Sequence, residues 1–211
     1  MIMETITTKA TRLPEYFEFP CYTLGRKDAK GILLEKRTDL TVTELDRLGV
    51  SEPYDLIDGR IIFKGGDLEH SRFKAKISYE VGVFIRQRPV GMLLMSLSLR
   101  VFPDDDRQLR TPDLSFYLNE NCPTENEYPI IPPDLVIEIV SIDDPFVYVL
   151  DNADLFLSSG SKAVWIIIPS KSCVLVWTAN ERRWEYETLT CSELLPGWSL
   201  DLKKFFATIN E

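Results

Sequence analysis

The chain has a single histidine, His70, and four cysteines (Cys21, Cys122, Cys173 and Cys191) too scattered to share a CxxC spacing. That pattern argues against a Cys/His zinc site and against the disulfide framework of small secreted domains. Positive charge is also scarce: 24 Lys and Arg against 33 Asp and Glu leave a formal charge of −9. Indiscriminate nucleic-acid binding needs a basic surface. The basic groupings here, Arg72, Lys74 and Lys76, then Arg86 and Arg88, fall on one expected helix and suit its solvated face. No apolar run approaches the roughly 20 residues that span a bilayer, and "MIMETITTKATRLPEYF" lacks the apolar core of a signal peptide. The expected setting is the cytoplasm, with reduced thiols and no membrane.

What is present is the make-up of a folded domain: 45% hydrophobic and 27% charged residues over 211 positions, including 11 Phe, 8 Tyr and 4 Trp. Residues 1–40 show no periodicity and read as an N-terminal arm or decoration, leaving 41–211 as the domain. "LTVTELDRLG" reads as a short helix, with Thr41 and Glu44 at capping-box spacing. "YDLIDGRIIF" is a hairpin turning at Asp58-Gly59. From His70 to Arg88, Phe73, Ile77, Val81 and Phe84 recur at helical spacing, and Pro89 and Gly91 end the run.

"MSLSLRVF" alternates as a half-buried strand. "PDLSFYL" and "DLVIEIVS" read as two more strands, the second apolar on both faces as at a sheet's centre. A helix over about Val147–Leu157 precedes strands in "AVWIIIP", "CVLVWTA" and "RWEYETL", and "LLPGWSLDLKKFF" is an exposed or packed tail. This order predicts an α+β (α/β-like) fold, a mixed central sheet flanked by helices.

Two carboxylates sit inside this apolar pattern. Val136, Glu138 and Val140 share one face of their strand, so Glu138 needs a partner, a hydrogen bond or a metal. Asp113 follows Pro112 at the start of the preceding strand. If the strands are neighbours, the acids converge on a pocket suited to Mg²⁺, with Mn²⁺ as an alternative, which takes one or two carboxylates plus waters and phosphate oxygens. The same residues also suit a solvated or Arg-paired acid, and an Asp…Glu pair alone is a weak motif.

The segments together are more specific. "YDLIDGRII", a helix beginning at His70, "SLRVFPDDDRQLRTPDLSFYL", "PPDLVIEIVS", a helix and "SSGSKAVWIIIP", in that order, resemble the bacterial Uma-two family, restriction-endonuclease-like proteins of the PD-(D/E)XK nuclease superfamily. The resemblance covers roughly Leu40 to Asp201. It implies that Asp113 and Glu138 hold the metal with the Ile139 carbonyl as third ligand. It also implies that Asp55, where the family has glutamate, adds a carboxylate, and that His70 orients a phosphate, a water or an acid. DNA is the implied substrate and a homodimer the expected assembly.

The departures matter too. The superfamily lysine two residues after the second acid is Val140 here. The Uma-two lysine on the following helix falls at Asn152, with Phe156 in place of the family's tyrosine. Asn152 can donate a hydrogen bond but brings no charge. Positioned proton transfer is worth about 10²–10⁴ in rate. The resemblance therefore leaves two outcomes: a Mg²⁺-dependent DNA endonuclease weakened by the missing lysine, or an inactive binding or regulatory protein on the same fold.

Overall fold

The computed structural model describes residues 24–124, 128–142 and 144–207; residues 1–23 of the expected arm, with Cys21, lie outside them. Its helices are α1 (Val42–Arg47), α2 (Leu68–Gln87), α3 (Phe146–Ser158) and α4 (Leu202–Ala207). Its strands are β1 (Tyr54–Ile57), β2 (Arg60–Phe63), β3 (Gly91–Met95), β4 (Leu114–Leu118), β5 (Leu135–Ile139), β6 (Ala163–Ile168), β7 (Cys173–Thr178), β8 (Arg182–Glu185), β9 (Thr188–Thr190) and β10 (Ser199–Asp201).

Six strands form one sheet in the order β3-β4-β5-β6-β7-β8. β5 and β6 are parallel and the other pairs antiparallel. A parallel pair cannot be closed by a hairpin, and α3 makes the crossover. The sheet is therefore mixed and flanked by helices, as the element order implied.

The alternation of β5 sorts the two layers. Leu135, Ile137 and Ile139 face α2 and pack with its Phe73, Ile77, Val81 and Phe84. Val136 faces α3 and packs with Val149, Ala153 and Phe156. Each such fully buried side chain is worth about 1.5–3 kcal/mol, so the stripe on α2 holds that helix to the sheet. Asp67 caps α2, its side chain accepting from the His70 N–H. This fixes His70 in the first turn.

The β1–β2 hairpin turns on Asp58 and Gly59, both at positive φ (50° and 79°), the backbone that Asp-Gly permits. It packs with α1, whose Thr41 side chain accepts from the Glu44 N–H. Leu34 and Leu40, from the segment before the domain's expected start, are buried in the same cluster.

One strand differs from expectation, and of the two alternatives for the closing segment one is found. The strand expected through "MSLSLRVF" lies earlier, at Gly91–Met95, and stops where Ser96 adopts a positive φ of 49°. Beyond that turn the chain stays beside residues 110–113 through isolated bonds, Ser96 N–H to Asp113 O and the Leu99–Arg110 bridge. The closing segment is packed: β10 pairs with β9, and Leu202 and Phe205 enter the α2-side core.

Candidate active site

β4 and β5 pair antiparallel with Leu114 opposite Ile137, which puts Asp113 and Glu138 next to one another just past the paired register. The Asp113 backbone N–H points at Glu138 Oε2 at 3.4 Å. Both acids are buried. They stand at the carboxyl end of β5, where the chain turns toward α3.

Asp113 has three partners. Its Oδ2 accepts from the Ile139 N–H at 2.9 Å and lies 3.0 Å from His70 Nε2, and its Oδ1 accepts from Lys74 Nζ at 3.0 Å. Burial pushes its carboxyl up, but the His70 hydrogen bond and the Lys64, His70 and Lys74 charges outweigh it and hold it well below the usual carboxylate range. Gly66 makes this approach possible, since a Cβ there would lie 2.6 Å from His70 Nδ1.

Glu138 is held differently. Besides the long contact from Asp113, its Oε2 faces Lys64 Nζ at 3.5 Å. Its pKa is raised to about 8, by burial first and by the charges of Asp113 and Asp55, against the pull of Lys64. The Lys64 ammonium is held protonated well above its ordinary range by Asp55 and Glu138, despite its own burial.

Asp55, on β1, sits one step behind. Its Oδ1 accepts from the Thr111 N–H at 2.6 Å, and its Oδ2 accepts from the Tyr148 hydroxyl and the Asn152 amide (3.5 Å) and lies 3.7 Å from Lys64 Nζ. Asn152 also accepts from Arg110 Nε at 3.2 Å. Arg110 is itself buried and donates to the carbonyls of Leu56 and Leu109. A lysine at 152 would face this guanidinium, so asparagine there and arginine at 110 suit one another.

Asp113, Glu138, His70, Ile139 and Asn152 line one cavity of about 40 Å³, together with Lys64 and Asp144. Asp55 is not among its lining residues. A second recess of about 160 Å³ adjoins it, lined by Lys64, Gly65, Gly66, His70, Ser71, Lys74 and Ser96 and sharing Asp113 with the first.

Three cations were absent from the sequence reading of this site. Lys64 ends the apolar run of β2, its backbone N–H bonded to Pro53 O; a charge closing such a run before two glycines is a faint signal. Lys74 read as part of a solvated face, yet it lies four residues after His70, the spacing that puts both on one side of α2. Arg110 stands three residues before Asp113 in the acid's own motif. Two of the other basic candidates are engaged elsewhere: Lys76 Nζ reaches the Phe205 carbonyl and Arg88 donates to the Pro196 carbonyl.

Among the described residues no three His, Cys, Asp or Glu side chains are arranged to hold a metal ion. The donor chemistry nevertheless fits a hard divalent cation, because Mg²⁺ needs only one or two carboxylates and completes its shell with water and phosphate oxygens. Glu138, buried with its pKa raised, is an acid that a bound cation would shift toward its ionised form.

A mixed six-stranded sheet flanked by helices, with the β5–α3–β6 crossover, is a restriction-endonuclease-like fold. The chain belongs to the Uma2 family, whose model, described as "Putative restriction endonuclease", matches residues 42–207. Among solved structures it resembles a putative nuclease of the DUF820 group from Anabaena variabilis, at 23% identity and a TM-score of 0.68, over 80% of this chain and 98% of that one. At that identity the likeness establishes the shared fold. No curated protein matches the chain. Among the described residues no helix is long and apolar enough to cross a membrane.

Proposed function

We propose that this protein is a nuclease that hydrolyses DNA phosphodiester bonds with the help of Mg²⁺ or Mn²⁺. The observation that carries the reading is the opposition of Asp113 and Glu138 across β4 and β5, inside a cavity bordered by His70 and Lys64. Asp113 and Glu138 would hold the ion, with the Ile139 carbonyl as the expected third ligand. Bound there, a divalent ion acidifies water and offsets charge on phosphoryl oxygens.

The chain's own groups prepare that chemistry. His70, Lys74 and the Ile139 N–H keep Asp113 ionised and fix its orientation. Asp55 anchors the Lys64 side from behind, itself held by Thr111, Tyr148 and Asn152. The positive charge that Asn152 does not bring is present on Lys64, so the site does not want for a lysine.

A second reading is a non-catalytic binding protein on this fold. It is favoured by the Arg110–Asn152 bond, which occupies the place of the family's lysine. Incubating the purified chain with supercoiled plasmid and Mg²⁺ or Mn²⁺ separates the two. Nicking that disappears in Asp113→Ala supports hydrolysis; no nicking, or nicking that survives the substitution, sinks it.

A further inference from the structure

Two lysines stand against the acids of this site, and one of them is placed unlike the other. Lys74 and His70 meet Asp113 alone, from one side of α2. Lys64 reaches between two acids from different strands, 3.5 Å from Glu138 and 3.7 Å from Asp55. Bridging two carboxylates is what a bound metal does. Lys64 also lines both hollows, the 40 Å³ cavity that holds Glu138 and the 160 Å³ recess where Lys74, Ser71 and Ser96 stand; Asp113 borders both.

Its backbone is fixed by the Pro53 bond at the hairpin's end. The four-carbon stem is free to carry the ammonium from one hollow to the other, because a lysine is a compact charge on a flexible arm. The neighbouring Gly65 and Gly66 add no side chain to the path.

We infer that Lys64 is a tethered cation that keeps the metal's place: an incoming divalent ion displaces its ammonium from Glu138 and Asp55, and the freed ammonium turns into the adjoining recess to join Lys74 on a phosphodiester. This inference rests on the metal-dependent reading above and assigns Lys64 two opposite effects. It weakens metal binding, since its departure leaves Asp55 and Glu138 to be compensated, and it strengthens DNA binding once metal is present. A lysine that only braced the fold would do neither.

The test is calorimetric titration of the full chain with Mn²⁺ for wild type, Lys64→Met and Lys64→Gln. The glutamine variant keeps a hydrogen-bond donor for Glu138 and guards against a folding defect in the methionine variant. Affinity for Mn²⁺ is expected to rise about tenfold or more in both. Thermal melts should show a larger Mn²⁺-induced gain in melting temperature for the variants than for wild type. With saturating Ca²⁺, binding of a short DNA duplex is expected to weaken severalfold. Mn²⁺ affinity that is unchanged or lower in both variants overturns the inference and leaves the metal reading intact. Absence of Mn²⁺ binding in all three proteins overturns both.

Discussion

β5 carries a buried acid near each end, and the two are held in opposite ways. Asp134, just before the strand, accepts from the Leu118 N–H at 2.8 Å and from the Asn121 amide at 2.9 and 3.0 Å, and pairs with Lys162 at 3.2 Å. Glu138, four residues on, has one long backbone contact and the Lys64 ammonium. Asp134 is bonded into the fold, tying the β4 end to the β6 end. Glu138 is compensated by a charge on a flexible arm that can leave. On the reading proposed above, the acid at the structural end is satisfied by fixed donors and the acid at the site end by a removable one.

The largest expected effect falls at the structural end. Asp134→Ala takes a charged acceptor from the Leu118 N–H and the Asn121 amide and is expected to cost about 3 kcal/mol, at about 1.5 kcal/mol for each such bond. At about 2–4 °C per kcal/mol for a chain of this size, the melting temperature should fall by about 6–12 °C, while Mn²⁺ affinity per folded molecule stays unchanged. A clear fall in Mn²⁺ affinity would erase the distinction between the two ends.

Asn152→Lys comes next. It restores the family's residue but removes the acceptor of Arg110 Nε and adds a cation beside that guanidinium. We expect a loss of about 1–3 kcal/mol by thermal melting and no gain in plasmid nicking. Increased cleavage would mean that Lys64 does not supply the charge missing at 152.

Gly66→Ala tests the support of Asp113. A Cβ 2.6 Å from His70 Nδ1 must displace the ring. An overpacking cost of about 1–3 kcal/mol is expected, with weaker Mn²⁺ binding; an unperturbed His70 signal in NMR spectra of the variant would show that the ring is not held there.

The remaining prediction is the direction of a pH trend. The Glu138 pKa is raised from 4.5 to about 8, so the folded chain keeps a proton that the unfolded chain releases across that window. Its contribution to stability is complete below 4.5 and is lost as pH rises through about 8. Asp113 acts in the opposite sense, but only as pH falls below its ordinary value of 3.8. In chelator, the melting temperature should therefore drift down between pH 5 and 8, and Glu138→Gln should flatten that drift. A wild-type slope equal to the variant's would contradict the assignment.

The sequence carried the strand pair and its acids because each leaves a local mark: alternation in "DLVIEIVS", Pro112 before Asp113, the helical stripe from Phe73 to Phe84, the Asp-Gly turn. It did not carry the partners of those acids. Lys64 lies 74 positions from Glu138 in the chain, and the packing of the β1–β2 hairpin near the end of β5 brings them together. Lys74 was hidden by a helix whose charged residues otherwise suit solvent. β3 was misplaced because the apolar alternation runs on through Leu97 and Leu99, and nothing in the residue types announces the positive φ at Ser96. The lysine missing from its usual place was legible, whereas the cation standing near the acids was visible only in three dimensions.

The most direct test of the central claim is a crystal structure of the chain soaked in Mn²⁺, with data collected for anomalous scattering. The account predicts a peak at metal–oxygen distance, about 2.1 Å on the scale of Mg²⁺, from carboxylate oxygens of both Asp113 and Glu138, with the Lys64 ammonium withdrawn from Glu138. A Mn²⁺-saturated crystal with no peak between these acids, and Lys64 still on Glu138, would contradict it.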